Sequence, residues 1–234
     1  MSEAQFDDYA ERYDATVQRA ISASGESVQF FAALKARLMA ATLQRAAQQP
    51  ARVLDFGCGI GNSTRELVAA FPNSHVVGVD PSSESIARAR EFGAGDRMEF
   101  EVVDGDRLPF ADGTFDFAFA ACVFHHVERP QRGHWASEIR RVLRNGGSFF
   151  LFEHNPYNPL TRRVVANVPF DEGVELLTPR ETSLLLTEVG FETDAATFYF
   201  FFPHLLKALR FAERWLRRVP LGGQYFVRAL NGRR

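Results

Sequence analysis

The sequence is poor in cysteine and contains no long apolar run. Cys58 and Cys122 are the only cysteines in 234 residues, which excludes a disulfide framework and favours a reducing compartment. No apolar stretch approaches the roughly 20 residues of a membrane-spanning helix, and no basic and apolar leader opens the chain. These absences predict a cytoplasmic protein.

The net charge of the chain is small, but positive charge is concentrated near the end of the sequence. The formal net charge is −2, yet residues 203–234 carry eight Lys/Arg and one acid. The pattern over 204–219 predicts a basic amphipathic helix, which suits packing on a sheet, covering a lipid-like acceptor, or contact with the anionic inner face of a membrane. Nucleic acid is not expected as a partner, because the patch is short and belongs to no RNA-binding motif.

Apolar runs alternate with helical patterns from Arg52 onward. The runs predict seven strands, at 52–56, 75–79, 98–103, 115–121, 148–152, 191–202 and 224–230. Helices are predicted over 1–45 with a break at 22–27, and over 62–71, 82–92, 135–143 and 179–189. Repeated strand–helix units with nearly continuous apolar strands indicate an α/β fold whose sheet is parallel and covered on both faces.

The first predicted strand leads into a glycine-rich turn, in which Gly57, Gly59 and Gly61 precede a helix at Asn62. Glycine lets a ligand lie directly on the backbone, close to the positive end of the helix. A triphosphate loop is excluded, because the turn has no Lys-Ser/Thr and Asp55 precedes it. A dinucleotide-binding fingerprint requires glycine at the position of Asn62, which disfavours a dinucleotide site. An NAD(P)-dependent oxidoreductase is nevertheless the main alternative.

Polar residues stand at the ends of five predicted strands: Asp55, Asp80, Asp104, Cys122 and His154. Ligands of parallel α/β sheets bind beyond these carboxyl ends, so the five are expected at one site. A carboxylate after the second strand accepts hydrogen bonds from ribose hydroxyls but repels phosphate. The pattern therefore favours a nucleoside with a cationic, amino-acid-like tail.

Five sequence blocks, at 53–61, 77–82, 104–110, 115–127 and 138–147, resemble the class I S-adenosylmethionine-dependent methyltransferases in order and spacing. The chain is most similar to the branch that contains the ubiquinone and menaquinone-biosynthesis methyltransferases. The resemblance implies a Rossmann-like doubly wound sheet of seven strands, mostly parallel with one antiparallel strand, and helices on both faces. It also implies one domain, with a helical cap at 1–48, a cofactor-binding core at 50–154 and acceptor-side elements at 155–234.

The same resemblance implies roles for individual residues. Asp55, Gly57 and Gly59 would lie against the methionine part of S-adenosyl-L-methionine, Asp80 would hold the ribose hydroxyls, and Asp104 would accept the adenine amino group. Other residues expected around the cofactor are Cys58, Pro81, Gly105, Cys122 and, more weakly, Tyr13.

The implied reaction is an in-line methyl transfer to a small-molecule or lipid-like acceptor, and it requires no metal. A hydroxyl or carbon acceptor needs a base. His154 and His126 are the candidate catalytic residues, with His125 beside them, although these histidines could instead only order loops or cap a helix. A non-catalytic regulatory relative that binds the cofactor is a further alternative, because the motifs report binding and not turnover.

Overall fold

The computed structural model describes residues 13–46, 48, 50–93, 95–171 and 173–232. The start of the predicted N-terminal helix and the Tyr13 side chain lie outside this description. Two helices open the described chain, α1 (Tyr13–Ala20) and α2 (Val28–Arg45), with a short 3₁₀ turn at Ser22–Ser24 between them. The Ser27 side chain caps α2 by accepting a hydrogen bond from the backbone N–H of Phe30 at 3.0 Å.

Eight strands form one sheet, in the order β3-β2-β1-β4-β5-β8-β6, with β7 also paired to β8. They are β1 (Arg52–Phe56), β2 (His75–Asp80), β3 (Met98–Val102), β4 (Phe115–Ala121), β5 (Leu143–His154), β6 (Glu192–Thr193), β7 (Thr197–Tyr199) and β8 (Gln224–Leu230). The first five strands pair in parallel, and β8 runs antiparallel to its neighbours. The predicted sheet, mostly parallel with one antiparallel strand, is thereby confirmed.

The predicted count of seven strands was wrong by one, because the run 191–202 forms two short strands. Thr193 pairs with Ala229 and Thr197 pairs with Phe226, so the register along β8 shifts by one residue between them. The chain leaves the sheet after β7, where Phe200 adopts a φ of 59°. This is a left-handed conformation that a strand cannot continue through.

Six further helices connect and cover the strands: α3 (Asn62–Ala70), α4 (Ser83–Gly93), α5 (Arg129–Val142), α6 (Pro159–Val165), α7 (Pro179–Glu188) and α8 (Glu213–Leu216). Helix α5 begins six residues before the predicted start at Trp135, with Pro130 in its first turn, where a missing N–H costs nothing. At the other end, α5 passes directly into β5 at Leu143.

The predicted amphipathic helix over 204–219 was also wrong. The segment is a 3₁₀ helix (His204–Ala212) with a break at Leu206, followed by the four-residue α8. The described residues 204–212 include no buried one, so the segment lacks the packed face that sustains most protein helices. The Glu213 carboxylate instead accepts hydrogen bonds from the backbone N–H groups of Phe201 and Phe202, at 3.0 and 3.1 Å.

Alternate residues of each strand face opposite sides of the sheet, and each side has its own apolar cluster. Leu54 and Phe149 belong to the cluster that contains Ile139 of α5 and Leu186 of α7. The opposite cluster joins Val53 to residues of α2 and α3 such as Met39 and Leu67. Helices on both faces, as expected, leave the carboxyl edge of the sheet as the open side. Within the part of the chain that the structure describes, no helix combines the length and apolarity needed to cross a bilayer.

Candidate functional site

A cavity of about 800 Å³ lies at the carboxyl edge of the parallel strands. The turn after β1 and the ends of β2, β4 and β5 form its floor, and α1, α2, α6 and residues 200–203 form its walls. The predicted site residues that line it are Gly57, Cys58, Gly59, Asp80, Pro81, Gly105, Cys122, His126 and His154. A cavity of this size suits a nucleoside cofactor together with part of a second molecule.

The glycine turn fits closely on one side and is open on the other. The backbone N–H groups of Gly57 and Cys58 donate to the Val79 carbonyl at 2.8 and 3.0 Å, which ties the turn to β2. A side chain at Gly57 would lie 2.5 Å from Val123, whereas a side chain at Gly59 would meet no atom within 4 Å. The space beside Gly59 is therefore the cradle that a ligand against this backbone would fill.

Asp80 ends β2 and holds the glycine turn in place. Its Oδ2 accepts a hydrogen bond from the Gly59 N–H at 2.9 Å, and its Oδ1 accepts one from the Ser82 N–H at 3.0 Å. Asp80 also lines the cavity, where a carboxylate oxygen can accept hydrogen bonds from hydroxyls of a ligand.

Two other predicted acids do not line the cavity. Asp55 is buried behind the turn and accepts a hydrogen bond from the Thr64 hydroxyl at 2.7 Å. Burial raises the pKa of Asp55 to about 7, against the lowering effect of Thr64. Asp104 is exposed between Val103 and Gly105, which both line the cavity.

Both cysteines line the cavity as thiols, since burial raises the pKa of each. Cys58 packs against the backbone of β2, where a side chain on Gly78 would lie 2.9 Å from its sulfur. Cys122 follows the last residue of β4 and has a φ of 58°, a conformation that is uncommon outside glycine.

A cluster of histidines and carboxylates forms the opposite end of the cavity. His125 Nδ1 lies 2.6 Å from Glu153 Oε2, and the other oxygen of Glu153 accepts the Phe124 N–H at 2.9 Å. Asp171, at the end of a 3₁₀ turn (Pro169–Asp171), places its Oδ1 3.7 Å from His125 Nε2 and 3.1 Å from His126 Nε2. The rings of His125 and His154 have their centroids 5.4 Å apart.

These neighbours shift the pKa values of the cluster in opposite directions. Burial alone would lower the pKa of His125, but Glu153 and Asp171 outweigh it and raise that pKa to about 10. Burial and the nearby His125 lower the pKa of His154 to about 4. Burial also lowers the pKa of His126. The cluster thus holds one imidazolium beside two neutral rings at neutral pH.

The polar cavity residues that sequence reasoning missed include Lys35, Asp171 and Gln224. Lys35 lies on α2 within an otherwise ordinary helical pattern, and Asp171 lies in an irregular loop, so no motif marks either. Gln224 begins β8, where its Nε2 lies 3.4 Å from His154 Nδ1. Its place at a strand end beside the five predicted ones was the available signal.

Comparisons with known proteins identify the core of the chain. Residues 53–147 match the family model described as a methyltransferase domain. A sterol 24-C-methyltransferase of Gibberella zeae is 37% identical over 106 residues, which are 44% of this chain and 27% of the relative. Methyltransferase phqN of Penicillium fellutanum is 31% identical over 159 residues, 63% of this chain and 48% of the relative. The chain thus spans less than half the length of these relatives.

A solved structure shows the same fold over nearly the whole chain. An S-adenosylmethionine-dependent methyltransferase from Thermotoga maritima superposes with a TM-score of 0.67 and covers 97% of each chain, at 20% identity. The blocks whose resemblance marks this fold in the sequence lie within or next to the matched residues 53–147.

Proposed function

Residues 53–147 form a methyltransferase domain of the S-adenosylmethionine-dependent class I family, and from this premise we propose that the chain methylates a small-molecule or lipid-like acceptor. One observation carries the proposal. The cradle beside Gly59, Asp80 and the histidine cluster all line the same cavity, so a nucleoside site and a proton-transfer site face each other.

The residues present fit the cofactor. The open backbone at Gly59, the Asp80 carboxylate and the lining residues Cys58, Pro81 and Gly105 would hold its nucleoside and amino-acid parts. When bound, S-adenosylmethionine supplies a methyl group made electrophilic by a sulfonium. Asp55 would act through the fold, since its hydrogen bond to Thr64 fixes the start of α3 behind the turn.

The chain itself then has to align the acceptor, exclude water and take up a proton. We assign acceptor contact to His154 and His126, because both line the cavity at the ends of β5 and β4. His154 or His126 would take up the proton that the acceptor loses when it is methylated. Alignment within the walls of α1, α2 and α6 supplies the remaining acceleration.

The acceptor class is inferred from the relatives and from the surface beside the cavity. One relative named above is a sterol 24-C-methyltransferase. A further relative, 36% identical over 97 residues, is a malonyl-[acyl-carrier protein] O-methyltransferase. Pro203 and Leu160 line the cavity, and the apolar and basic segment 204–218 follows Pro203 directly. We infer that this segment contacts an anionic membrane surface, from which a lipid-like acceptor reaches the cavity.

Methyl-labelled S-adenosylmethionine tests the proposal. The chain is incubated with a sterol, a quinol, a fatty acid and a sugar in separate assays, and label is followed into each acceptor. A Gly59→Val variant, which fills the cradle, is the matched control and is expected to lose both binding and transfer. Binding without transfer to any acceptor would favour the non-catalytic alternative, and binding of NAD(H) in place of the labelled cofactor would favour the oxidoreductase alternative.

A further inference from the structure

We propose that His125, His154 and Asp171 form a binding site for a divalent first-row metal ion, such as zinc, at the acceptor end of the cavity. One ligand atom from each residue lies within 4.8 Å of the other two. Two imidazoles and one carboxylate are a common set for such ions, and three protein ligands leave positions open for another molecule.

The distance between His125 and Asp171 fits joint binding of an ion better than a hydrogen bond. His125 Nε2 and Asp171 Oδ1 lie 3.7 Å apart, beyond hydrogen-bond length. Two ligands on the edge of a tetrahedron with bonds of about 2.1 Å would lie about 3.4 Å apart. A small closure of the Asp171 turn would therefore bring both atoms to one ion.

Two buried atoms at this place are not hydrogen-bonded to any residue that the structure describes. Neither His125 Nε2 nor Asp171 Oδ1 has a hydrogen-bond partner among the described residues, although both side chains are buried. Buried polar atoms are nearly always satisfied, so an unmet pair that points into a cavity calls for a ligand. His126 Nε2 lies 3.1 Å from Asp171 Oδ1.

Further contacts support the ligands as they do at known metal sites. Glu153 is fully buried and lies 2.6 Å from His125 Nδ1, so it accepts that N–H and turns Nε2 toward the site. Of the remaining charges that act on the cluster, the Glu153 carboxylate favours a cation and the Lys35 ammonium opposes one.

The bound ion would change the part that His154 plays, from proton acceptor to ligand. It would displace the proton on His125 Nε2 to solvent and offer its open positions to an acceptor oxygen, whose hydroxyl then loses its proton more easily. His126, which is not a ligand of the ion, would take up that proton. This role rests on the proposed function, whereas the binding of the ion does not.

Cobalt(II) is the probe, because its visible absorption reports the number and kind of its ligands. The purified chain is stripped with a chelator and titrated with Co²⁺. We expect one ion per chain, and we expect Asp171→Asn and His154→Gln each to weaken its binding at least tenfold. Glu153→Gln, which leaves all three ligands in place, is expected to cost tenfold to a hundredfold. His75→Gln removes a histidine at the opposite end of β2 and is the matched control.

Thermal unfolding of every variant confirms that it is folded, and His154→Gln decides if Asp171→Asn does not fold. The site is refuted if the wild-type chain binds no cobalt, or if His75→Gln weakens binding as much as the cluster variants do. S-adenosylmethionine binding to the metal-free chain is measured separately by calorimetry. Intact cofactor binding without cobalt binding overturns the metal site alone, and cobalt binding without cofactor binding supports the site while it removes the proposed function.

Discussion

The Gly59 N–H donates a 2.9 Å hydrogen bond to Asp80 Oδ2, so the acid that ends the second strand holds the turn that follows the first. The contact joins two motifs that lie 21 residues apart in the chain. It gives Asp80 two duties, since the same carboxylate faces the cavity in which the cofactor is proposed to bind.

Replacement of Asp80 by alanine should weaken S-adenosylmethionine binding tenfold to a hundredfold, or about 1–3 kcal/mol. The ligand hydroxyls lose an acceptor, and the turn loses one of its hydrogen bonds to β2 while those to Val79 remain. Calorimetry measures the affinity. Asp194→Ala, which removes an exposed acid from another part of the chain, is the control. An Asp80→Ala protein that is folded and binds with wild-type affinity would show that this acid does not contact the cofactor.

Replacement of Gly59 by alanine should abolish cofactor binding while it leaves the fold intact. The new methyl group meets no atom of the described residues within 4 Å, so it occupies the cradle, and the left-handed φ of 51° costs about 1 kcal/mol. Gly146→Ala is the matched control, because that glycine has a φ of 77° and an equally open position outside the cavity. Equal affinities in the two variants, at similar losses in unfolding free energy, would mean that no ligand lies against Gly59.

Asp55 should make the stability of the chain depend on pH. Its pKa of about 7 in the folded chain lies above its usual value of 3.8, so its contribution is fully present below pH 3.8. This contribution to the free energy of unfolding is lost as the pH rises through 7, and the loss is on the order of 4 kcal/mol. Urea unfolding of the wild type and of Asp55→Asn at pH 4.5 and pH 8 measures the difference.

The variant cannot ionise at this position, so it should gain stability relative to the wild type as the pH rises. The exposed Asp112 gives the control, because Asp112→Asn should keep a constant difference from the wild type over the same range. A constant difference for Asp55→Asn would show that its carboxyl group is hydrated in the folded chain.

The sequence predicted the parallel half of the sheet well, because its strands are buried on both faces and read as continuous apolar runs. Of the five strand-end residues that it predicted at one site, Asp80, Cys122 and His154 line the cavity, whereas Asp55 and Asp104 do not. The regions after His154 were predicted less well. A register shift on β8 split one run into two strands, and Asp171 reaches the site from a loop whose position depends on tertiary contacts alone.

The segment 204–219, which was predicted to be one amphipathic helix, exposes a surface of apolar and basic side chains that suits a binding partner. Leu205, Phe211 and Trp215 expose 92%, 65% and 63% of their surface in a segment without any buried residue from 204 to 212. Lys207, Arg214 and Arg218 are exposed among them, and the Arg214 guanidinium lies 3.9 Å from the centroid of the Trp215 ring. Apolar side chains interleaved with cations match the interface of an anionic bilayer.

Vesicle co-sedimentation tests this surface. The chain should bind vesicles of phosphatidylcholine with phosphatidylserine, and bind pure phosphatidylcholine less. The triple variant Leu205→Ser, Phe211→Ser, Trp215→Ser should lose binding to both, because it removes the inserted side chains. The triple variant Lys207→Gln, Arg214→Gln, Arg218→Gln should lose only the advantage of the anionic lipid, which salt also screens.

Leu184 is exposed on α7, so Leu184→Ser controls for the loss of an apolar side chain elsewhere and should leave vesicle binding unchanged. Absence of wild-type binding at low salt would refute the membrane contact. A fall in binding for Leu184→Ser equal to that of the apolar triple variant would refute it as well. In either case the exposed segment would contact the acceptor molecule in place of a membrane, and the labelled-methyl assay tests that contact without vesicles.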